Sequence, residues 1–395
     1  MGLASPGPVP WLWAWPAPLE PMARLVRDKP ACPYPGAHKS GFSATIGHYA
    51  RSRQRSERTI GPAQPMDVPE YNLPEQAIAQ VPVEPRDAAR LLVALGPAVE
   101  HAYVSDLPHF LAPGDVLVVN SSRVVPARLQ LRKATGGAAE VLLLEPRTEP
   151  PATWEALVRP GRRLAPGTVL FAGSRPVLEV GERLADGARS VRALVDDLSA
   201  FGSLALPPYI HTPLADGRRY QTVYADKAGS VAAPTAGLHL TKALLDRCAE
   251  RGVTIAQLDL AVGVGTFRPI KEEQVDAHTM HAERYSVPRA TWEACQRATR
   301  VVAVGTTTVR ALEAVAATGA LEGRTQLYIR PGHHFSTVDV LMTNFHLPKS
   351  TLLVMLEAFA GPRWRELYEV ALGAGYRFLS FGDAMLVARA GQAGG

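Results

Sequence analysis

Cysteine is scarce. The three in 395 residues, Cys32, Cys248 and Cys295, lie far apart, with no C-x-x-C pair and no cluster at zinc or iron–sulfur spacing. That excludes a disulfide-stapled fold and a cysteine-held metal centre, and a reducing, cytoplasmic setting is expected. Long apolar runs are also lacking. Val9 to Leu19 is broken by Pro10, Pro16 and Pro18 and has no basic segment ahead of it, so neither a membrane span nor a secretory signal is expected. The G-x-G-x-x-G dinucleotide fingerprint and the Walker G-x-x-x-x-G-K-[ST] pattern are absent, which argues against a nicotinamide enzyme or a nucleotide triphosphatase. No internal repeat is visible.

What is present is a chain that is 47% hydrophobic, enough to fill the cores of about two to three ordinary domains. The net charge of +5 invites a nucleic-acid reading, but the whole excess sits in the first 65 residues, with 8 Lys+Arg against 3 Asp+Glu. Those residues also hold 11 of the 34 prolines, Trp11, Trp13 and Trp15, and the run Arg51, Arg53, Arg55, Arg58, without a helical or strand period. A disordered extension over 1–65 is expected, either a solvated tail or an upstream extension of a gene start at Met66.

The remaining text falls into three stretches. Between Val124 and Pro208, six β-rich runs separated by Gly and Pro turns predict a small barrel or sandwich: Val125 to Leu131, Glu140 to Glu145, Trp154 to Val158, Thr168 to Phe171, Val177 to Val180 and Ser190 to Val195. Before it, Pro74 to Gln80 reads as a short helix, and Leu91 to Leu95 and Asp115 to Asn120 as strands. After Tyr220, strands and helices alternate. Thr254 to Val262, Arg300 to Val304, Gln326 to Ile329 and Val338 to Thr343 read as strands, with helices from Thr241 to Arg251, Ala290 to Thr299, Thr308 to Thr318 and Thr351 to Phe359. The expected fold is a layered α/β domain assembled from both ends of the chain, 66–123 and 221–395, with a small β-barrel inserted at 124–220.

Polar groups collect at the strand-to-helix turns. Gly229 to His239 is a run of small residues, including Thr235 and Gly237, that ends in a histidine at a helix entrance. Gly263 to Arg268 carries Gly265, Phe267 and Arg268 at the carboxyl end of a strand, where open α/β sheets bind ligands. His278 and His281 precede Glu283; the H-E-x-x-H order is missing, so acid/base or hydrogen-bonding work is expected rather than metal. Gly305-Thr306-Thr307-Thr308 opens the helix containing Arg310, a place for a carboxylate or phosphate. Asn344, Phe345 and His346 lead into the next helix. Asp383 stands in an apolar C-terminal stretch, where a buried carboxylate needs a partner. Each of these turns can equally be purely structural, and the residues alone do not name a reaction.

In this order, the strings Ile78-Ala79-Gln80, Glu84-Pro85-Arg86-Asp87, Arg123 to Leu129, Leu206 to Ile210, Tyr220 to Tyr224, Val231 to His239, Gly265-Thr266-Phe267, Met280 to Glu283, Val304 to Arg310, Thr343 to Leu347 and Gly382 to Met385 resemble the S-adenosylmethionine:tRNA ribosyltransferase-isomerase family of queuosine biosynthesis. The resemblance runs from about Tyr71 to Val387. It implies transfer and isomerisation of the ribosyl part of S-adenosylmethionine onto 7-aminomethyl-7-deazaguanine at the tRNA wobble position, giving epoxyqueuosine with release of adenine and methionine. It also implies an α/β fold with an inserted barrel, no metal and no second cofactor.

On that basis His239 and His281 are expected to do acid/base work, and Asp383 or Glu283 to orient a base or bind the deazaguanine edge. Thr306, Thr307 and Arg310 would take the methionine carboxylate, and the faces of Phe267 and Phe345 the sulfonium. Arg128, Arg132, Lys133, Arg159, Arg162 and Arg163 on the barrel are the expected tRNA contacts, and a monomer is expected. The family's His-Val-Gly reads Ala261-Val262-Gly263 here. Two other readings stay open from sequence: a relative acting on a free deazapurine or small amine, and a non-catalytic RNA- or nucleoside-binding protein.

Overall fold

Fully buried strands, two of them rich in valine, make the centre of the main sheet. Val116–Asn120, Val301–Val304 and Val340–Asn344 are buried along their whole length, as strands covered on both faces must be. The computed structural model describes residues 67–147, 152–184, 187–263, 270, 275 and 280–391. The three strands sit inside a nine-stranded sheet ordered Glu322–Thr325, Glu283–Ser286, Thr254–Leu260, Val116–Asn120, Val301–Val304, Val340–Asn344, Ala384–Ala388, Arg90–Ala94, Glu100–Tyr103. From Thr254–Leu260 to Val340–Asn344 the strands are parallel, so their carboxyl ends share one edge.

Helices cover both faces. Helix α1 (Lys242–Glu250) lays Leu244 and Cys248 on one face, and its cap is the Thr241 hydroxyl, which accepts from the Leu244 amide. The other face carries α2 (Arg289–Arg297), α3 (Thr306–Thr318), α4 (Thr351–Ala360) and α5 (Trp364–Gly373), with Leu312, Phe359, Trp364 and Tyr368 in its core. No helix among the described residues is long and apolar enough to cross a membrane.

The inserted part is a closed six-stranded barrel. Arg128–Lys133, Ala138–Pro146, Thr153–Arg159, Arg189–Ala193, Arg175–Arg183 and Val169–Ala172 pair in that order, and Arg132↔Phe171 with Lys133↔Leu170 close the ring. Alternation turns Leu129, Leu131, Val141 and Val191 into its interior. Where the chain leaves for the barrel and returns from it, Ser122–Val124 and Lys227–Ser230 pair as a parallel two-stranded ribbon. This neck lies close to the expected start of the insertion at 124 and some residues beyond its expected end at 220; the 1–65 extension lies outside the described residues.

Several local expectations are corrected. Pro74 to Gln80 forms only a 3-10 turn, Glu75–Ala77, because Ile78 pairs with the backbone at Phe378 instead. Gln326 to Ile329 is not a strand; pairing with Glu283–Ser286 is made by Glu322–Thr325. The C-terminal strand starts only at Ala384, after a tight turn in which Leu379 has a φ of 69°.

Candidate active site

The carboxyl edge of the parallel strands is where the polar residues meet. Asn120 ends its strand and binds both backbone groups of Leu260, at 3.0 and 3.1 Å, while its amide also donates to Thr307 Oγ1 at 3.3 Å. Val301–Val304 turns into α3 through Gly305, whose φ of 88° disfavours any side chain. A Cβ built on Gly305 would stand 3.6 Å from that of Ala236, so the Thr235–His239 turn packs on the start of α3. Helix α3 is 13 residues long, and its first-turn amides and dipole present positive potential at Thr306 and Thr307.

Beside this helix start, Glu283 and Arg310 form a buried ion pair. Glu283 Oε1 also accepts from the Gly263 amide at 3.0 Å, and Arg310 Nε donates to the Leu327 carbonyl at 3.1 Å. Arg310 Nη2 has no partner among the described residues. The guanidinium lines a small depression together with Met280, Thr306, Thr307, Tyr328, Thr351 and Met355. A cation, two hydroxyls and a helix start suit a small carboxylate, and the side chains of Met280 and Met355 in the same lining suit an apolar thioether stem.

His239 is buried at the far side of the same turn. Asn344, at the end of Val340–Asn344, places its Nδ2 at 3.0 Å from His239 Nε2 and at 3.1 and 3.4 Å from the carbonyls of Leu379 and Asp383. Nδ2 has two hydrogens, which go to the two shorter contacts, His239 Nε2 and the Leu379 carbonyl; with Nε2 accepting, the imidazole proton resides on Nδ1. Burial, followed by the nearby guanidiniums of Arg377, Arg219 and Arg86, pushes His239 down to about 3. Arg86 holds the turn by donating to the Leu238 carbonyl at 3.0 Å. The imidazole is therefore a neutral hydrogen-bond donor at physiological pH.

Other expected site residues are placed differently. Asp383 has both carboxylate oxygens engaged, by the amides of Arg90 at 3.1 Å and Arg377 at 2.8 Å, and it clasps the C-terminal turn. Phe345 is fully buried and stacks on Phe378 at 4.6 Å, which leaves its ring no open face for a sulfonium. His346 lies in the core, its Nε2 3.1 Å from Thr343 Oγ1. Gly237 is a packing glycine, since a Cβ would lie 2.0 Å from the Tyr224 hydroxyl. His281 is exposed, next to Met280 at the cleft, and Thr235 is half-buried. Gly265, Phe267 and Arg268 lie outside the described residues, as does His278.

On the barrel, Arg128 and Arg132 share the outward face of their strand, and Arg159 lies near Arg128. Glu140 interrupts this stripe by accepting from Gln130 at 2.7 Å. Arg162 and Arg163 are exposed on the turn Gly161–Arg163, and Lys133 is half-buried. Among the described residues no group of His, Cys, Asp and Glu is arranged to hold a metal ion.

Sequence reasoning missed Asn120, Arg86, Arg219, Arg377 and Asp259. The last had a signal: in Ile255-Ala256-Gln257-Leu258-Asp259-Leu260 it is a carboxylate inside an apolar strand, the feature that drew attention to Asp383.

The buried histidines make the fold acid-sensitive. Burial pushes His346 down to about 3 as well. Both are neutral in the fold, whereas each titrates at its ordinary value in the unfolded chain. The unfolded state therefore takes up two extra protons as pH falls below the histidine range, so this stability is complete above about pH 6.5 and is lost on acidification. The expected slope approaches about 2.7 kcal/mol per pH unit between pH 6 and 4.5. Urea unfolding at several pH values checks it, with His346→Gln removing about half the slope.

Fold and site together describe an α/β protein whose polar side chains gather at the carboxyl edge of its parallel strands, beside an inserted barrel. The queuosine biosynthesis protein family matches residues 67–387. An S-adenosylmethionine:tRNA ribosyltransferase-isomerase of Rubrobacter xylanophilus is 50% identical over 329 residues, covering 82% of this chain and 97% of the relative. One from Thermus thermophilus is 51% identical over 341 residues, covering 80% and 98%. A solved structure of an S-adenosylmethionine tRNA ribosyltransferase from Thermotoga maritima is 37% identical, covers 80% of this chain and 99% of that one, and superposes with a TM-score of 0.46. The chain belongs to the queuosine biosynthesis protein family.

Proposed function

We propose that the protein transfers and isomerises the ribosyl group of S-adenosylmethionine onto 7-aminomethyl-7-deazaguanine at the wobble position of tRNA, releasing adenine and methionine. The observation that carries this is half identity sustained over 97% of the length of an S-adenosylmethionine:tRNA ribosyltransferase-isomerase. The cleft is consistent with it. Arg310, Thr306 and Thr307 take the methionine carboxylate, and Met280 and Met355 line the stem leading to the sulfonium.

The sulfonium acidifies the adjacent ribose carbon, so a modest base suffices, and the role is assigned to His281, next to Met280 in the chain. His239, with its proton on Nδ1, supplies a hydrogen bond to the departing adenine as negative charge develops on it. Arg128, Arg132, Arg159, Arg162 and Arg163 on the barrel contact tRNA phosphates. The enzyme works in the cytoplasm as a monomer and needs no metal.

The test is adenine release from S-adenosylmethionine by purified protein with tRNA carrying the aminomethyl-deazaguanine, with the free base, and with neither. Release that requires the tRNA, with a matching mass gain on the RNA, is expected. Release with the free base alone would replace tRNA by a small-molecule acceptor.

A further inference from the structure

Three buried carboxylates stand at the edge of the sheet, and two have their accepting capacity filled. Glu283 binds the Gly263 amide and Arg310, and Asp383 binds the amides of Arg90 and Arg377. Asp259 differs. It is 1% exposed, yet neither carboxylate oxygen accepts a hydrogen bond from any described residue. Arg284 Nη2 stands 3.3 Å from Oδ2 without the alignment of a hydrogen bond. A buried carboxylate without donors is costly, and such groups are kept where a ligand brings the donors.

Strand alternation puts Asp259 on the same face as Ala261, whose side chain is a single methyl, at the carboxyl end of Thr254–Leu260. The half-exposed Arg284 lies between this carboxylate and the neck ribbon, 3.6 Å from where a Cβ on Gly229 would be. Lys227, on the same ribbon, is the other cation acting on Asp259. Burial pushes the carboxyl up, while Arg284 and Lys227 pull it down.

We propose that Asp259 and Arg284 read the pairing edge of the acceptor base. A 7-deazaguanine presents a carbonyl acceptor followed by two parallel donors, the ring N–H and the exocyclic amine. The free carboxylate oxygens of Asp259 match the two donors, and the guanidinium beside them matches the carbonyl, in the same order. This rests on the function proposed above and assigns the recognition of guanine-like acceptors to residues that neither Glu283 nor Asp383 can replace.

The experiment compares tRNA bearing 7-aminomethyl-7-deazaguanine with the same tRNA bearing the analogue that lacks the exocyclic amine, in adenine-release kinetics. Wild-type protein is expected to favour the natural base in kcat/KM by about 10- to 100-fold. Asp259→Asn is expected to raise KM for the natural tRNA by a similar factor, leave kcat within about threefold, and erase the preference. Loss of equal size on both substrates, or retention of the preference, overturns the proposal.

Urea unfolding of Asp259→Asn and Asp259→Ser checks their folding. If neither folds, Arg284→Met on its half-exposed side chain decides the matter: a KM for the modified tRNA that does not move overturns the pairing. Absence of tRNA-dependent release by the wild type is a distinct result. It removes the proposed function, and this inference falls with it.

Discussion

Replacing His239 with alanine is expected to lower the rate of adenine release by about 10²- to 10³-fold, the range typical of losing one positioned hydrogen-bond donor to developing negative charge. KM for S-adenosylmethionine should change little, because the contacts that hold its methionine end lie on α3. The same geometry predicts the pH behaviour. With its Nε2 accepting from Asn344 and its pKa pushed down to about 3, His239 does not titrate between pH 5 and 9. Any limb near pH 6.5 in kcat must come from another group. Asn344→Asp supplies the converse test. A carboxylate in place of the amide donor favours imidazolium, so the hydrogen-bond pattern inverts and turnover should fall as far as in His239→Ala, with a new pH dependence. Near-native turnover in both variants would remove His239 from the mechanism.

Arg310→Met is expected to destabilise the protein by about 3–5 kcal/mol, because it leaves Glu283 charged and buried without its cation. Both side chains are nearly inaccessible, at 6% and 7% exposure, so solvent cannot take over the role. The loss should be largely recovered in the double variant Arg310→Met, Glu283→Gln, which removes the stranded charge and keeps a group able to accept from the Gly263 amide. Urea unfolding measures the cycle. Activity should not recover with stability, since the double variant still lacks the guanidinium that faces the cleft; recovery of both would make Arg310 purely structural.

The architecture was legible in the sequence because each half of it has a local signature. The six barrel strands alternate apolar and polar residues with Gly and Pro between them. The central strands Val116–Asn120 and Val301–Val304 are continuous valine runs. Edge strands such as Glu100–Tyr103, polar and half-exposed, carry no such signal, and their pairing is decided by the neighbour they reach. Helix α5 was missed although Leu367 and Ala371 are spaced as a helix requires, because Gly361-Pro362 just before it reads as a turn.

The site was legible only in part. His239, Asn344, Thr307 and Arg310 do meet at one edge. Which of them has a free polar atom is set by partners more than a hundred residues away, as with Asn344 and His239, or Asp383 and Arg90. Residue type therefore nominated Asp383 and Phe345, and packing then closed both. Asp259 was passed over because a lone acidic residue in a strand says nothing about whether its partner is missing.

The order of strands has a bearing on biosynthesis. The barrel is contiguous in the chain, so it can fold as soon as it has emerged from the ribosome. The main sheet cannot, because its strand Ala384–Ala388 must slot between Arg90–Ala94 and Val340–Asn344, two strands made long before. Until Ala384–Ala388 is available, those two strands face each other across an open gap with unpaired edges, the form most prone to sticking to other chains. A chain truncated before Ala384 would thus keep the sheet in that state permanently, with an intact barrel attached to it.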